Sequence, residues 1–313
     1  MMKAKNEYLA AKRRTQIGNA VFNVINALVL AFLVVVTVYP FWNTIAISFN
    51  DGLNSIAGGI TLFPRKFTWQ NYKALFVTNQ IFSAFGISVS RTLLQTVFSV
   101  FCTSMLAYAL SRKEFVLKKP LTSILVVSMY VSAGIIPNYM LIKNLGLLNN
   151  YLVYIIPNLV DVFNFILVRT YINGLPDSFV ESARIDGANE FKIFLEIIMP
   201  LIVPSIAMIC LFVAVGAWNS WFDTYLYASA RPKLYSLQYV LMQFLNSSQN
   251  QSNSAADANS MAVAAASGST SAMVTPISLR SSITVIATLP ILVVYPFMQK
   301  YFIVGMTIGG VKE

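Results

Sequence analysis

Five long stretches of this chain carry no charged side chain: the residues between Arg14 and Asp51, then Thr92 to Ser111, Pro120 to Ile142, Ile197 to Phe222 and Ser281 to Gln299. About 20 helical residues cross the roughly 30 Å hydrocarbon layer of a bilayer, so each stretch is long enough to span one. A sixth, about Tyr151 to Ile172, is strongly apolar but holds Asp161 inside it and Arg169 near its end. Inside lipid no water satisfies backbone N–H and C=O groups, which leaves helices as the spanning form for runs of this kind. The expected fold is therefore all-α: an integral membrane chain of six transmembrane helices. With 57% hydrophobic and 11% charged residues the composition agrees, since a soluble domain carries about 25% charge.

The charges that remain set the orientation. Lys3, Lys5, Lys12, Arg13 and Arg14 precede the first run. That beginning is like a signal peptide, but the run is too long and lacks a small-residue cleavage site, so it reads as a retained span with the N-terminus in the cytoplasm. An inside start and six spans place Arg112, Lys113, Lys118, Lys119, Arg184, Lys192, Lys300 and Lys312 inside as well, and both termini in the cytoplasm, as the positive-inside rule requires. The net charge of +10 is spread over helix ends rather than gathered on a face, so no nucleic-acid partner is expected. Arg91, which opens the second run on the outer side, is read as snorkelling to the headgroups. With no histidine, with Cys102 and Cys210 both inside spans, and with no G-x-x-x-x-G-K-[ST] loop, the chain offers no His-based triad and no phosphate cradle of its own.

Between the runs, the segment from about Phe49 to Ile81 is an outer loop with an interfacial helix around Trp69 to Phe76. Residues from about 223 to 280 form the largest extracytoplasmic loop, Asn-, Gln- and Ser-rich from Asn246 to Ser260 and expected to be mobile. Asn173 to Pro200 is the most informative stretch. Ser178 and Glu181 form an S-x-x-E capping box, Gly187 breaks the helix they begin, and Asn189 caps a second helix that carries Phe191 and Phe194 toward Met199 and Pro200.

These residues carry a family resemblance. Glu181, Ser182 and Ala183, Gly187, Ile197, Met199 and Pro200 resemble the E-A-A-x3-G-x9-I-x-L-P loop of bacterial ABC importer permeases, with Ser182 and Met199 as the departures. Ala107 to Lys113, Gly134 to Tyr139, Trp218 to Asp223 and Gln299 to Phe302 resemble the carbohydrate permeases of the maltose-type class, and Gly309, Gly310, Val311 and Lys312 are similar to the tail of the second permease of such pairs, with Glu313 and Val304 departing from it. The resemblance is closest to permeases for complex, often plant-wall or uronic-acid-containing oligosaccharides. It implies one type I permease domain over residues 1–313 in the bacterial cytoplasmic membrane. Residues 178–200 would be a cytoplasmic coupling loop in which Glu181, Ser182, Ala183, Asp186, Gly187, Ile197 and Pro200 meet the ATPase. It further implies a homologous sister permease, a cytoplasmic ATPase dimer that holds ATP and Mg, and an extracytoplasmic sugar-binding protein, while this chain is not an enzyme and binds no cofactor or metal. Small Ser182 and Ala183 suit close approach to a partner.

An ionisable residue at membrane depth is a functional candidate. Asp161, with Asn158 and Asn164 one turn either side, makes a polar stripe that either faces a sugar cavity or pairs with Arg91 or Arg169. Tyr130, Tyr139, Trp218, Asn219 and Trp221 are further sugar-contact candidates, with an interfacial belt the alternative for the tryptophans. The competing functions are an ion-coupled secondary transporter, a permease for another solute class, and a membrane scaffold or receptor subunit without a transport path.

Overall fold

The computed structural model describes residues 2–60, 62–77, 79–251 and 274–310. Among them every regular element is helical, apart from one isolated bridge between Asn50 and Phe67. The chain divides into two compact units, Met1–Tyr72 with Ser269–Val285 and Lys73–Gly268 with Ile286–Glu313.

In the first unit α1 (Met2–Ser48) carries the longest uncharged run. Pro40 sits inside it, and without a proline N–H the carbonyl one turn earlier loses its helical donor. From Phe22 to Phe41 its large apolar side chains are exposed, which in water would be an aggregation surface and in a bilayer is the lipid-facing wall. Where α1 ends, Asn50 is buried and holds the loop together: its side chain donates to Ser55 Oγ and accepts from the Lys66 N–H at 2.9 Å, while Asn71 donates to the carbonyls of Ser48 and Asn50. Short α2 (Gly52–Ile56) and the start of α3 (Gln70–Val77) are fastened through these bonds and through the rings of Phe49, Phe67, Trp69 and Tyr72. The expected interfacial helix is α3.

The second unit is built on α4 (Asn79–Ser111), which packs most extensively against α10 (Val203–Asn219) and α7 (Val162–Asn173). Between α4 and α7 lie α5 (Lys118–Tyr130), α6 (Ile135–Asn144) and two 3₁₀ turns, Tyr151–Tyr154 and Ile156–Asn158. Then follow α8 (Ser178–Ile185), α9 (Glu190–Leu201), α11 (Phe222–Tyr227), α12 (Leu237–Gln251) and α13 (Pro276–Gly310), the last of which belongs to the first unit as far as Val285. The core gathers Ala107 and Leu110 of α4, Phe165, Val168 and Ile172 of α7, and Ile193, Phe194 and Ile198 of α9.

The six expected spans are not six straight rods. Phe22–Ser48, Gln80–Ser111 and Pro276–Pro296 are continuous helices long and apolar enough to cross a membrane. Two more are bent pairs: Tyr151–Asn158 meets Val162–Asn173 at 45°, and Glu190–Leu201 meets Val203–Asn219 at 85°. The run from Pro120 to Ile142 is split into α5 and α6 by a non-helical link that ends at Gly134, whose φ of 86° lies where only glycine is at ease. Each break has a local cause. Pro157 precedes the first, and Pro204, unable to donate the next helical hydrogen bond, follows the second at Ile202. Of the expected mobile stretch, Asn246 to Gln251 continue α12, and 252–273 lie outside the described residues.

Candidate functional site

The elbow between α8 and α9 is closed by backbone alone. Gly187 adopts φ +81°, its N–H donates to the Arg184 carbonyl at 3.0 Å, and the Ala188 N–H reaches back to the Ala183 carbonyl at 3.0 Å. This is a Schellman closure, with glycine at the one position where a Cβ is strained. Asn189 then caps α9, its side-chain oxygen accepting from the Lys192 N–H at 2.8 Å. The start of α8 differs from the capping box read in the sequence: the N-cap is Asp177, and no side chain caps the helix. The carboxylate of Asp177 is engaged elsewhere, in an ion pair with Lys113.

α8 turns Val180 and Ala183 into the core and leaves Glu181, Ser182, Asp186 and Gly187 exposed. Ala183 therefore does not face a partner, as the sequence suggested. Its small side chain lets α8 lie close on this chain's own core. Ile185, absent from the sequence-derived set, is an apolar side chain 87% exposed beside the turn. In α9 the helix widens to a π-helix over Ile193–Ile198, a form that recurs at functional positions. It sets Phe194 against the rings of Phe101 and Tyr108, half-buries Ile197 at the core edge, and leads to Pro200 just before the 85° bend.

Both arms of the elbow are tied to the end of α4. Arg184 donates from Nε and Nη2 to Oε1 of Glu190 at 2.9 and 2.7 Å, and from Nη1 to Glu114 at 2.5 Å. The Tyr108 hydroxyl donates to Oε2 of Glu190 at 2.6 Å, and Arg112 stacks 4.7 Å over the Tyr108 ring. The guanidinium hydrogen bond holds the Glu114 carboxyl down at about 2, and Lys113 and Asp177 shift each other in opposite directions, the ammonium up and the carboxyl down. These groups are solvent-exposed, so the ties fix geometry more than they add stability.

A second feature lies farther along the same helix. Arg91, roughly 25 Å from Tyr108 along the axis of α4, is completely buried and does not snorkel. Its guanidinium donates to the Ala217 carbonyl at 3.1 Å from Nε and 2.5 Å from Nη2, to the Ser220 carbonyl at 2.9 Å, and to Asp223 at 3.3 Å, and it lies 4.7 Å over the Tyr154 ring. Ala217 and Ser220 end α10, where the last carbonyls of a helix have no internal donor and carry the negative end of its dipole. The arginine of one helix thus caps the C-terminus of another, which requires burial of the charge.

Beside this cap is a cavity of ≈ 980 Å³ whose wall includes Gln95, Asn138, Asn158, Asp161, Asn164 and Asp223. The sequence placed Asn158, Asp161 and Asn164 on one helical stripe. The structure instead puts the break in that stripe, with Asp161 as the N-cap of α7, accepting from the Asn164 N–H at 2.8 Å. All three still line the cavity, and among the described residues no ion pair joins Asp161 to Arg91 or Arg169. The other candidates are elsewhere. Tyr130 is 81% exposed at the end of α5, Trp218 is buried with its N–H on the Ala287 carbonyl, and Asn219 accepts from Gln238; none lines the cavity. Tyr139 stacks on Tyr227, and Trp221 meets Phe222 edge to face and Tyr225 at a tilt. Asp223 was legible only as the last residue of W-N-S-W-F-D and Asn138 only as part of the Gly134 to Tyr139 motif, and Gln95 gave no sequence signal. Of the tail, Gly309 and Gly310 are helical in backbone, whereas Val311 and Lys312 lie outside the described residues.

Comparison with known proteins places this architecture. Residues 92–308 match the family model described as the binding-protein-dependent transport system inner membrane component. The polygalacturonan/rhamnogalacturonan transport system permease protein YtcP of Bacillus subtilis is 35% identical over 94% of this chain and 99% of its own length, and protein LplC of the same organism is 36% identical over 93% and 95%. The arabinooligosaccharides transport system permease protein AraQ of Halalkalibacterium halodurans is 28% identical over 90% of this chain and 94% of its own. Among solved structures, a chain of a bacterial ABC transporter involved in the import of the acidic polysaccharide alginate superposes with a TM-score of 0.79 at 26% identity, over 91% of this chain and 98% of that one. The match covers the helices that form both the elbow and the cavity, and the chain belongs to the binding-protein-dependent transport system inner membrane component family.

Proposed function

We propose that this chain is the second of two permease subunits in an ATP-driven oligosaccharide importer. A homologous sister permease supplies the opposite wall of the pathway, an extracytoplasmic sugar-binding protein delivers the substrate, and a cytoplasmic ATPase dimer drives the cycle while holding ATP and Mg; the chain itself binds no cofactor. The observation that carries the reading is the elbow. A short helix is closed by Gly187, presents Glu181, Ser182, Ile185 and Asp186 outward, and is clamped through Arg184 and Glu190 to α4, the helix that also forms part of the cavity wall. Force applied to such a projection moves α4 and α10 together, which is the requirement for coupling hydrolysis in one chain to access in another.

In this reading the elbow and both termini are cytoplasmic, in accord with the basic residues around them, and Gly309 to Lys312 enter the interface of the ATPase dimer. The named relatives handle pectic, arabino- and other oligosaccharides, which supports a plant-wall type of saccharide for this chain. The test has two parts. Affinity capture of the chain from solubilised membranes should recover an ATPase and a second permease, and vesicles containing the complex should accumulate saccharide only with ATP and binding protein. A single cysteine at Ser182 should react with an impermeant reagent from the cytoplasmic side alone. Reaction from the outside, or capture without an ATPase, removes the proposal.

A further inference from the structure

Resting on the carbohydrate reading, the structure assigns to this chain's cavity wall a preference for uncharged, hydroxyl-presenting saccharide over uronate carboxylates. Among the described residues no lysine or arginine lines the cavity, while two aspartates do. Asp223 is pre-organised: the Arg91 guanidinium, the Ser220 hydroxyl at 2.8 Å and the Thr224 N–H at 2.9 Å all converge on Oδ1, which leaves Oδ2 without a protein donor among the described residues. Arg91 is itself fully buried behind this carboxylate and offers its remaining N–H groups to helix-terminal carbonyls, so it is unable to turn toward a ligand. Asp161 uses Oδ1 for its own helix cap and meets no cation. Asn164, only 5% exposed, has a side-chain oxygen with no hydrogen-bond partner among the described residues, although it lines the cavity.

Three acceptor oxygens thus await donors, and sugar hydroxyls are donors. An unmade hydrogen bond at a buried oxygen is unfavourable, so a ligand that brings an O–H and draws the Asn164 amide into the cavity is favoured. A uronate carboxylate brings none and meets the uncompensated charge of Asp161, that of Asp223 being offset by Arg91, and one like charge a few ångströms away lowers affinity by about tenfold. Any uronate of a mixed saccharide is then carried away from this wall.

The experiment uses the solubilised complex with its sister permease and ATPase, and measures binding of neutral galactan and galacturonan oligosaccharides of equal length, with uptake by the complete importer in parallel. The wild type is expected to bind the neutral oligosaccharide about tenfold more tightly. Asp161→Asn keeps an N-cap acceptor and should assemble; Asp223→Asn keeps Oδ1 but leaves the buried Arg91 without its counter-charge, so that variant is read only after its melting temperature shows an assembled complex, and Asp161→Asn carries the test. Each is expected to narrow the ratio at least about threefold, by tightening galacturonan and weakening galactan. Equal or tighter galacturonan binding by the wild type, or a ratio unmoved by Asp161→Asn while uptake persists, overturns the selectivity alone. A complete importer that takes up neither saccharide overturns the carbohydrate reading with it.

Discussion

Replacing Arg91 by methionine tests the central packing claim about the second unit. The side chain is fully buried, and its removal deletes its donors to the Ala217 carbonyl, leaves the Ser220 carbonyl with only the Ser236 hydroxyl at 3.4 Å, and breaks the ion pair with Asp223, whose side chain is itself 17% exposed. Taking one partner from a buried pair destabilises by about 3–5 kcal/mol, and each orphaned carbonyl carries a desolvation penalty of about 1–3 kcal/mol. The terms share one guanidinium and do not add, so about 4 kcal/mol is the expected loss, on the order of 10 °C in melting temperature for a chain of this size. Arg91→Lys should fall between, because a point ammonium reaches fewer of these acceptors than a planar fork. The double variant Arg91→Met/Asp223→Asn should recover part of the loss by removing the uncompensated charge, giving a coupling free energy above about 1 kcal/mol in a double-mutant cycle. The assay is thermal unfolding of the purified complex followed by tryptophan fluorescence. A variant melting within about 1 °C of wild type would match a residue reaching for headgroups and would refute the cap.

At the elbow, a Cβ on Gly187 meets nothing within 4 Å, so Gly187→Ala should lose only the backbone term of roughly 1–2 kcal/mol and keep uptake, while Gly187→Trp should insert and fold but lose ATPase capture; equal behaviour of the two refutes a partner in that space. The charge reversal Arg184→Glu should leave the complex assembled yet raise the ATP hydrolysed per saccharide moved several-fold, and Arg184→Glu/Glu190→Arg should restore part of the coupling; an unchanged ratio in the single variant rules the tie out of transmission. Solvent-exposed pairing with Arg184 holds the Glu114 carboxyl down at about 2 against 4.5 without its partners, so the tie is present above about pH 4.5 and fades as the pH falls toward 2; amide protection at residues 184–190, exchange taken relative to the unstructured peptide at each pH, should drop over that window and stay level between pH 5 and 7.

Much of the fold was legible because lipid imposes a rule that sequence states directly: long uncharged runs become helices, and the basic residues cluster where they end. The elbow was legible for a similar reason. Gly187 and Asn189 act on their immediate neighbours, and a turn that closes through bonds between residues three to five apart needs nothing from elsewhere. The capping box failed because Asp177 takes the N-cap position and Ser178 falls inside the first turn, while the Asp177 carboxylate is held by Lys113 from another part of the chain, so the helix begins without a side-chain cap. Ala183 was misassigned because composition says that a residue is small but not which side of a helix is covered.

Arg91 shows the limit most clearly. Its place at the head of an uncharged run is compatible with headgroups or with burial, and the two differ only in whether a compensating set of oxygens is within reach. Those oxygens come from Ala217, Ser220 and Asp223, more than a hundred residues away, and they converge only once α10 is laid against α4. The cavity has the same origin, since Gln95, Asn138, Asn164 and Asp223 belong to four separate elements. The sequence by itself determined the solvent, the helices and the turn at Gly187, all set by short-range chemistry. Which charges are buried, and which oxygens face a ligand, was decided by tertiary packing, because a polar group's environment is set by neighbours the chain brings from afar.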